Sequence, residues 1–91
     1  MGALPEFELG RLLATPGVLE AVPAAELENA LCRHAQCDWG ELAEIDRLAN
    51  DDALISGGRL FSAYRSSGNV KFWIITEADR SCTTMLLPSE Y

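Results

Sequence analysis

Apolar side chains recur every three to four positions through the first part of the chain and every second position through its last third, with Gly57-Gly58 at the change of period. The first pattern predicts helices. Thr15-Pro16-Gly17 offers a capping hydroxyl, then a proline whose missing N–H is not needed at the first helical position, so a short helix is expected over 16–22. Pro23 opens the next, over 23–35, where Leu27, Ala30, Leu31 and His34 share one face while Glu26, Glu28 and Arg33 lie elsewhere. Asp38-Trp39-Gly40-Glu41 has the form of a capping box, in which Asp38 caps and Glu41 reaches back. It predicts a third helix over 39–55, with Leu42, Ile45, Leu48, Ala49 and Ala53 as its apolar face and the glycine pair as its stop. The run at 9–14 is too short to show a period and suits an edge strand or an extended lead-in.

Beyond the glycines the period is two. Leu60, Ser62 and Tyr64 alternate with Phe61, Ala63 and Arg65; Val70, Phe72 and Ile74 alternate with Lys71, Trp73 and Ile75. Ser66-Ser67-Gly68-Asn69 between the two runs is turn chemistry and joins them as a hairpin. A third run over 82–87 follows the polar connection 77–81 and stops at Pro88. The expected class is α+β, with two to three N-terminal helices packed on one face of a three-stranded antiparallel meander. Residues 1–8 show no period and read as a flexible arm, leaving 9–91 as a single domain.

Composition narrows the classes of partner. The net charge is −7, from 14 carboxylates against 7 lysines and arginines, and nine of those carboxylates lie between Glu20 and Asp52. This balance disfavours direct nucleic-acid binding unless Arg59, Arg65, Lys71 and Arg80 converge on one face, and it favours basic partners. No run reaches the ~20 apolar residues of a membrane span, and the N-terminus lacks the pattern of a secretory signal. Three cysteines suit a reducing compartment better than a disulfide framework, so a cytoplasmic protein with no membrane partner is expected. A chain of 91 residues buries only roughly 60 to 65% of its unfolded surface, and a partner subunit, including a second copy in a homodimer, would add stability.

Three constellations offer chemistry. Cys32, His34, Cys37 and the distant Cys82 are donors of the kind that close a zinc shell. Their spacing matches no standard knuckle, and side chains two apart on a helix point in different directions. The plainer reading is a core Cys32 and a His34 that meets carbonyls at a helix C-terminus, with no metal and no cofactor. The second set, His34, Asp38, Glu77, Asp79 and Arg80, could serve a small hydrolase-like or ligand-binding enzyme, with histidine as base and arginine for an anion. Asp46 also belongs to this acidic set, yet neither a phosphate-binding glycine loop nor a nucleophile elbow accompanies it. The third set is aromatic: Trp39, Trp73, Phe61, Phe72 and Tyr64 are core candidates, with Tyr64 and the outward-facing member of the Phe72/Trp73 pair as interface anchors.

His34-Ala35-Gln36-Cys37-Asp38-Trp39-Gly40-Glu41-Leu42, Arg59-Leu60-Phe61-Ser62-Ala63-Tyr64, Trp73-Ile74-Ile75-Thr76-Glu77-Ala78-Asp79-Arg80-Ser81 and Leu86-Leu87-Pro88 together resemble small uncharacterised bacterial proteins labelled hypothetical or plasmid-related. The resemblance spans residue 7 to the end of the chain. It implies a mobile-element setting, in which small acidic proteins block host machinery such as restriction or CRISPR effectors. The polar residues shared with that group map to His34, Asp38, Asp46, Asn50, Thr76, Glu77, Asp79, Arg80 and Thr83, with Asp38 expected as a cap and Asn50 and Thr83 as hydrogen-bonding partners inside the fold. The cysteines do not belong to the shared pattern. The expected function is therefore a non-enzymatic, acidic protein-binding module acting as an accessory or anti-defence factor, with a partner protein met at Tyr64, Trp73, Glu77, Asp79 and Arg80.

Overall fold

The computed structural model describes residues 4–91 as an α+β fold in which three helices lie on one face of a four-stranded mixed sheet. Strand β1 (Arg11–Ala14) leads into α1 (Pro16–Ala21), α2 (Ala24–Ala35) and α3 (Glu44–Ser56); β2 (Leu60–Arg65), β3 (Lys71–Thr76) and β4 (Cys82–Leu86) follow, and a 3-10 turn at Pro88–Glu90 ends the chain. The sheet order is β1-β4-β3-β2. The expected antiparallel meander is present as β2-β3-β4, but the sheet is not three-stranded: 11–14 forms the edge strand and runs parallel to β4, in register Arg11 with Cys82 through Ala14 with Met85. Of the arm expected over 1–8, residues 1–3 lie outside the described residues. In the remainder, Glu6 N–H donates to the Ala35 carbonyl at 2.8 Å and the Phe7 ring lies 6.2 Å from that of Trp39.

The first two helices form as their local chemistry dictates. The Thr15 hydroxyl accepts the Val18 N–H at 3.3 Å with Pro16 at the helix start. Helix α2 buries Leu27 and Ala30 against Val18, Val22, Tyr64, Phe72 and Ile74, the main apolar cluster, and buries His34 beside Phe7 and Trp39. Each large side chain sealed there contributes about 1.5 to 3 kcal/mol from burial alone. Strand alternation matches the pattern: Leu60, Ser62, Tyr64, Phe72, Ile74, Thr76, Thr83 and Met85 point to the helices, and their neighbours point away.

The third helix departs from expectation at its start. It begins at Glu44, not Trp39, and its N-cap, Ala43, makes no side-chain cap bond. Asp38 is not a cap, because its carboxylate takes the Arg33 guanidinium at 2.7 and 3.2 Å and the Gly40 N–H at 3.3 Å, while Glu41 pairs with Arg65 at 3.3 Å. Burial of Trp39 decides the matter. Its side chain fills a second apolar cluster with Ala53 and Leu60, and its backbone runs beside β2, the Trp39 carbonyl accepting Ala63 N–H and Glu41 N–H donating to Ala63 O. Gly40 sits between at φ 72°, where a Cβ would come within 2.0 Å of the Ala63 carbonyl. The C-terminal stop behaves as expected, with Gly57 in the left-handed region at φ 89° and its N–H returned to Ala53.

The inward face of α3 also differs. Ile45, Leu48 and Ala49, expected against the core, face solvent; Asn50, Ala53 and Leu54 face the sheet. The reason is the exposed edge of β2. Asn50 donates to the Phe61 carbonyl at 2.7 Å and accepts the Phe61 N–H at 3.1 Å, so one side chain closes a backbone pair that an edge strand would leave open. With 39–41 pairing at Ala63, that edge is sealed.

Candidate interaction surfaces

The five residues of the enzymatic alternative do not assemble. His34 is fully buried: its Nδ1 faces the Ser62 hydroxyl and its Nε2 lies 2.8 Å from Thr76 Oγ1. Thr76 in turn meets Thr83 at 2.8 Å, and Thr83 donates to the Leu9 carbonyl at 2.6 Å. That last acceptor fixes the direction of the chain. Thr83 spends its proton on the carbonyl, Thr76 donates to Thr83, His34 Nε2–H donates to Thr76, and Ser62 donates to the unprotonated Nδ1. Burial lowers the His34 pKa to about 4, so the neutral ring matches this arrangement. A hydroxyl beside an imidazole is the geometry of an activated nucleophile, but Ser62 and His34 are both 0% exposed and no substrate atom reaches them. The helix-terminus role expected of His34 is replaced by a strand-to-helix tie.

The others have separate partners. Asp38 is half-exposed at the end of α2, held below the usual carboxylate range chiefly by its bond to Arg33. Glu77 pairs loosely with Arg59 at 3.6 Å. Asp79 accepts the Ser81 N–H at 3.0 Å within the β3–β4 turn, and Ser81 holds its pKa down. Arg80, at φ 62°, donates to Gly58 O at 2.7 Å, Glu77 O at 3.0 Å and Ala53 O at 3.1 Å. This clamps the turn to the C-terminus of α3, where a cation also complements the helix dipole. Among the described residues no hydrogen bond or ion pair runs from one side chain of the five to another; the one side-chain link, Arg80 to Glu77, ends on a main-chain carbonyl. Likewise no group of three or more His, Cys, Asp or Glu among them lies together so as to hold a metal, and the three cysteines are unpaired. His34, Thr76, Thr83, Asn50 and Arg80 thus serve the fold.

Among the partner-binding residues, Tyr64 is 2% exposed and turned toward the helices, where its hydroxyl donates to the Asp38 carbonyl at 2.7 Å and burial pushes its pKa up to about 12. It presents nothing to a partner. Trp73 does point away from the helices. With Arg59, Phe61, Ile75 and Tyr91 it lines an open cavity of about 300 Å³, in which the Phe61 and Tyr91 rings stand at 88° and 72° to the indole. Tyr91 reaches there because Glu90 anchors the C-terminal turn, accepting from Thr15 Oγ1 and from Gly17 N–H. The alternation of 59 and 61 with 73 and 75 already places Phe61 beside Trp73; nothing local in the sequence brings Tyr91 to them.

A second surface lies on α3. Ile45, Leu48 and Ile55 are 75, 59 and 90% exposed. They fall within about 80° of one another around the helix axis and form one apolar stripe, with Asp52 inside it and Glu44 and Asp51 along its margin. Arg47, the one cation of this helix, is committed to the Leu42 and Gly40 carbonyls at 3.1 and 2.6 Å. Ile55 lies outside the apolar face read from periodicity; the signal for an outward stripe was Asn50, a polar residue opposite the isoleucines and leucine. None of the helices among the described residues is long and apolar enough to cross a membrane. No family model, curated protein or solved structure matches the chain.

Proposed function

We propose that the chain is a non-enzymatic protein-binding module whose docking element is α3. One observation carries the reading: the helix turns its apolar stripe, Ile45, Leu48 and Ile55, to solvent. Large apolar side chains held in water on one helix face mark an interaction site, and helices offered this way dock by such a row of anchors. The rim is acidic, so the fitting partner presents apolar side chains ringed by lysine and arginine. Two copies packed through α3 would set acid against acid, and the free charge of Arg47 is already engaged, which favours a different protein over a second copy. In the mobile-element setting implied by the sequence resemblance, a host restriction or CRISPR effector has the required basic surface, and the protein acts there as an anti-defence factor.

Affinity capture from the host lysate tests this with wild type, Leu48→Ser/Ile55→Ser and the sheet-face variant Trp73→Ala in parallel. A basic protein retained by wild type and Trp73→Ala but lost by the α3 variant is expected. Equal retention by all three contradicts the reading, as does light scattering that shows a homodimer dissolved by the α3 variant.

A further inference from the structure

The outer face of the sheet has the opposite character to α3. Strand alternation and register bring Arg11, Arg65 and Lys71 to this face, and Arg59 lines its cavity, so it holds four of the seven cations of a chain whose net charge is −7. The other three are engaged elsewhere, Arg33 by Asp38 and Arg47 and Arg80 by main-chain carbonyls. Against the four, the strands and their flanking positions 59 and 77 set one carboxylate, Glu77, loosely paired with Arg59; Glu41 reaches Arg65 from the β2 edge. Arg65, Arg59 and Lys71 therefore meet the condition of convergence that the overall acidity otherwise makes improbable, and Arg80 does not. The acidic helices pack on the other side of the sheet.

Between these cations stand three aromatic rings. Phe61 and Trp73 are 5.0 Å apart, Trp73 and Tyr91 5.8 Å apart, and together with Ile75 and Arg59 they wall the cavity of about 300 Å³. Positive charge alone would suit any polyanion. Tyr91 is exposed and Phe61 and Trp73 are half-buried; aromatic rings accessible on a sheet face and interleaved with positive charge suit a polyanion that also offers planar rings for stacking. A duplex hides its bases, and an acidic peptide has no need of the aromatic wall. We infer that the outer sheet face binds single-stranded nucleic acid, one base entering the Phe61–Trp73–Tyr91 cavity and the adjoining phosphates lying over Arg59, Arg65 and Lys71. This site is separate from α3 and does not depend on the reading given to that helix.

The test is fluorescence anisotropy of a labelled oligothymidylate of about a dozen nucleotides, with tryptophan emission read in parallel at ~50 mM salt. Trp39 is buried, so quenching reports Trp73. Saturable binding with quenching is expected, weakening as salt rises with a log–log slope near about −2 for three phosphates. Lys71→Glu/Arg65→Glu, both exposed positions, should bind at least about tenfold more weakly, while Leu48→Ser/Ile55→Ser binds as wild type. Absence of binding overturns the inference. So does equal affinity for a duplex of the same length, or polyglutamate competing as well as unlabelled oligothymidylate, since either reduces the face to a generic polyanion or acidic-peptide site. Loss of binding in the α3 variant contradicts the assignment to the sheet.

Discussion

Helices α2 and α3 carry the same signal in the sequence, apolar residues at helical spacing, and fold it in opposite directions. Helix α2 lays Leu27 and Ala30 against the sheet, and its one polar inward residue, His34, finds a hydroxyl on each side of its ring. Helix α3 gives its inward face to Asn50 and Ala53 and leaves Ile45, Leu48 and Ile55 in water. The difference lies in what each helix covers. Helix α2 sits over the centre of the sheet, where apolar area is to be buried; α3 lies against the β2 edge, where backbone groups need partners and Asn50 supplies two hydrogen bonds to Phe61. Periodicity reports that a helix has two faces. Which face goes inward depends on the neighbour.

Breaking the seat of α2 should have the largest effect. Ile74→Ala opens a cavity beneath it and should cost about 2 to 5 kcal/mol in urea unfolding; a silent change would mean the helices sit elsewhere. Acidification attacks the same seat through His34. Its folded pKa of about 4 lies below the ordinary 6.5, so the unfolded chain takes up the proton first: the stabilisation is complete above about pH 6.5 and is lost as pH falls toward 4, by about 3 kcal/mol. The carboxylates with lowered values, Asp38 among them, titrate below that window, so a stability profile flat from pH 6.5 to 4.5 would contradict a buried neutral ring. Asn50→Ala should cost about 2 kcal/mol and leave the Phe61 backbone unpaired, read as lost amide protection at that residue. Asp38→Ala removes an exposed pair and should change stability by no more than about 0.5 kcal/mol, whereas a capping role would require ~1.

Much of the fold was legible because local chemistry and tertiary demands coincide. Thr15-Pro16 starts a helix, Gly57 stops one, and the alternation over β2 and β3 sets Ile74 and Trp73 on opposite faces; the structure decides which is which, Ile74 inward and Trp73 outward. Elements decided by distant contacts were not. Asp38-Trp39-Gly40-Glu41 carries every local mark of a helix start, yet Trp39 is worth more in the core than Asp38 as a cap, and the segment pairs with β2 instead. Strand β1 is four residues long and its partner lies near the other end of the chain, so no local pattern announces the parallel pairing. Among candidate residues, Tyr64 was drawn inward by the alternation that also placed Ile74, and Arg80 proved to be a clamp on main-chain carbonyls. The α3 stripe was visible as apolar residues; that it faces solvent follows only from the β2 edge.

The claim that one amphipathic signal is folded inward and the other outward is tested most directly by unfolding Leu27→Ser and Leu48→Ser in the same urea series. Leu27 is 4% exposed and Leu48 59%. The account predicts a loss of about 3 kcal/mol or more for Leu27→Ser and a change within about 0.5 kcal/mol for Leu48→Ser. Comparable losses in both would mean that α3 packs its leucine into the core, and the docking surface assigned to it would not exist.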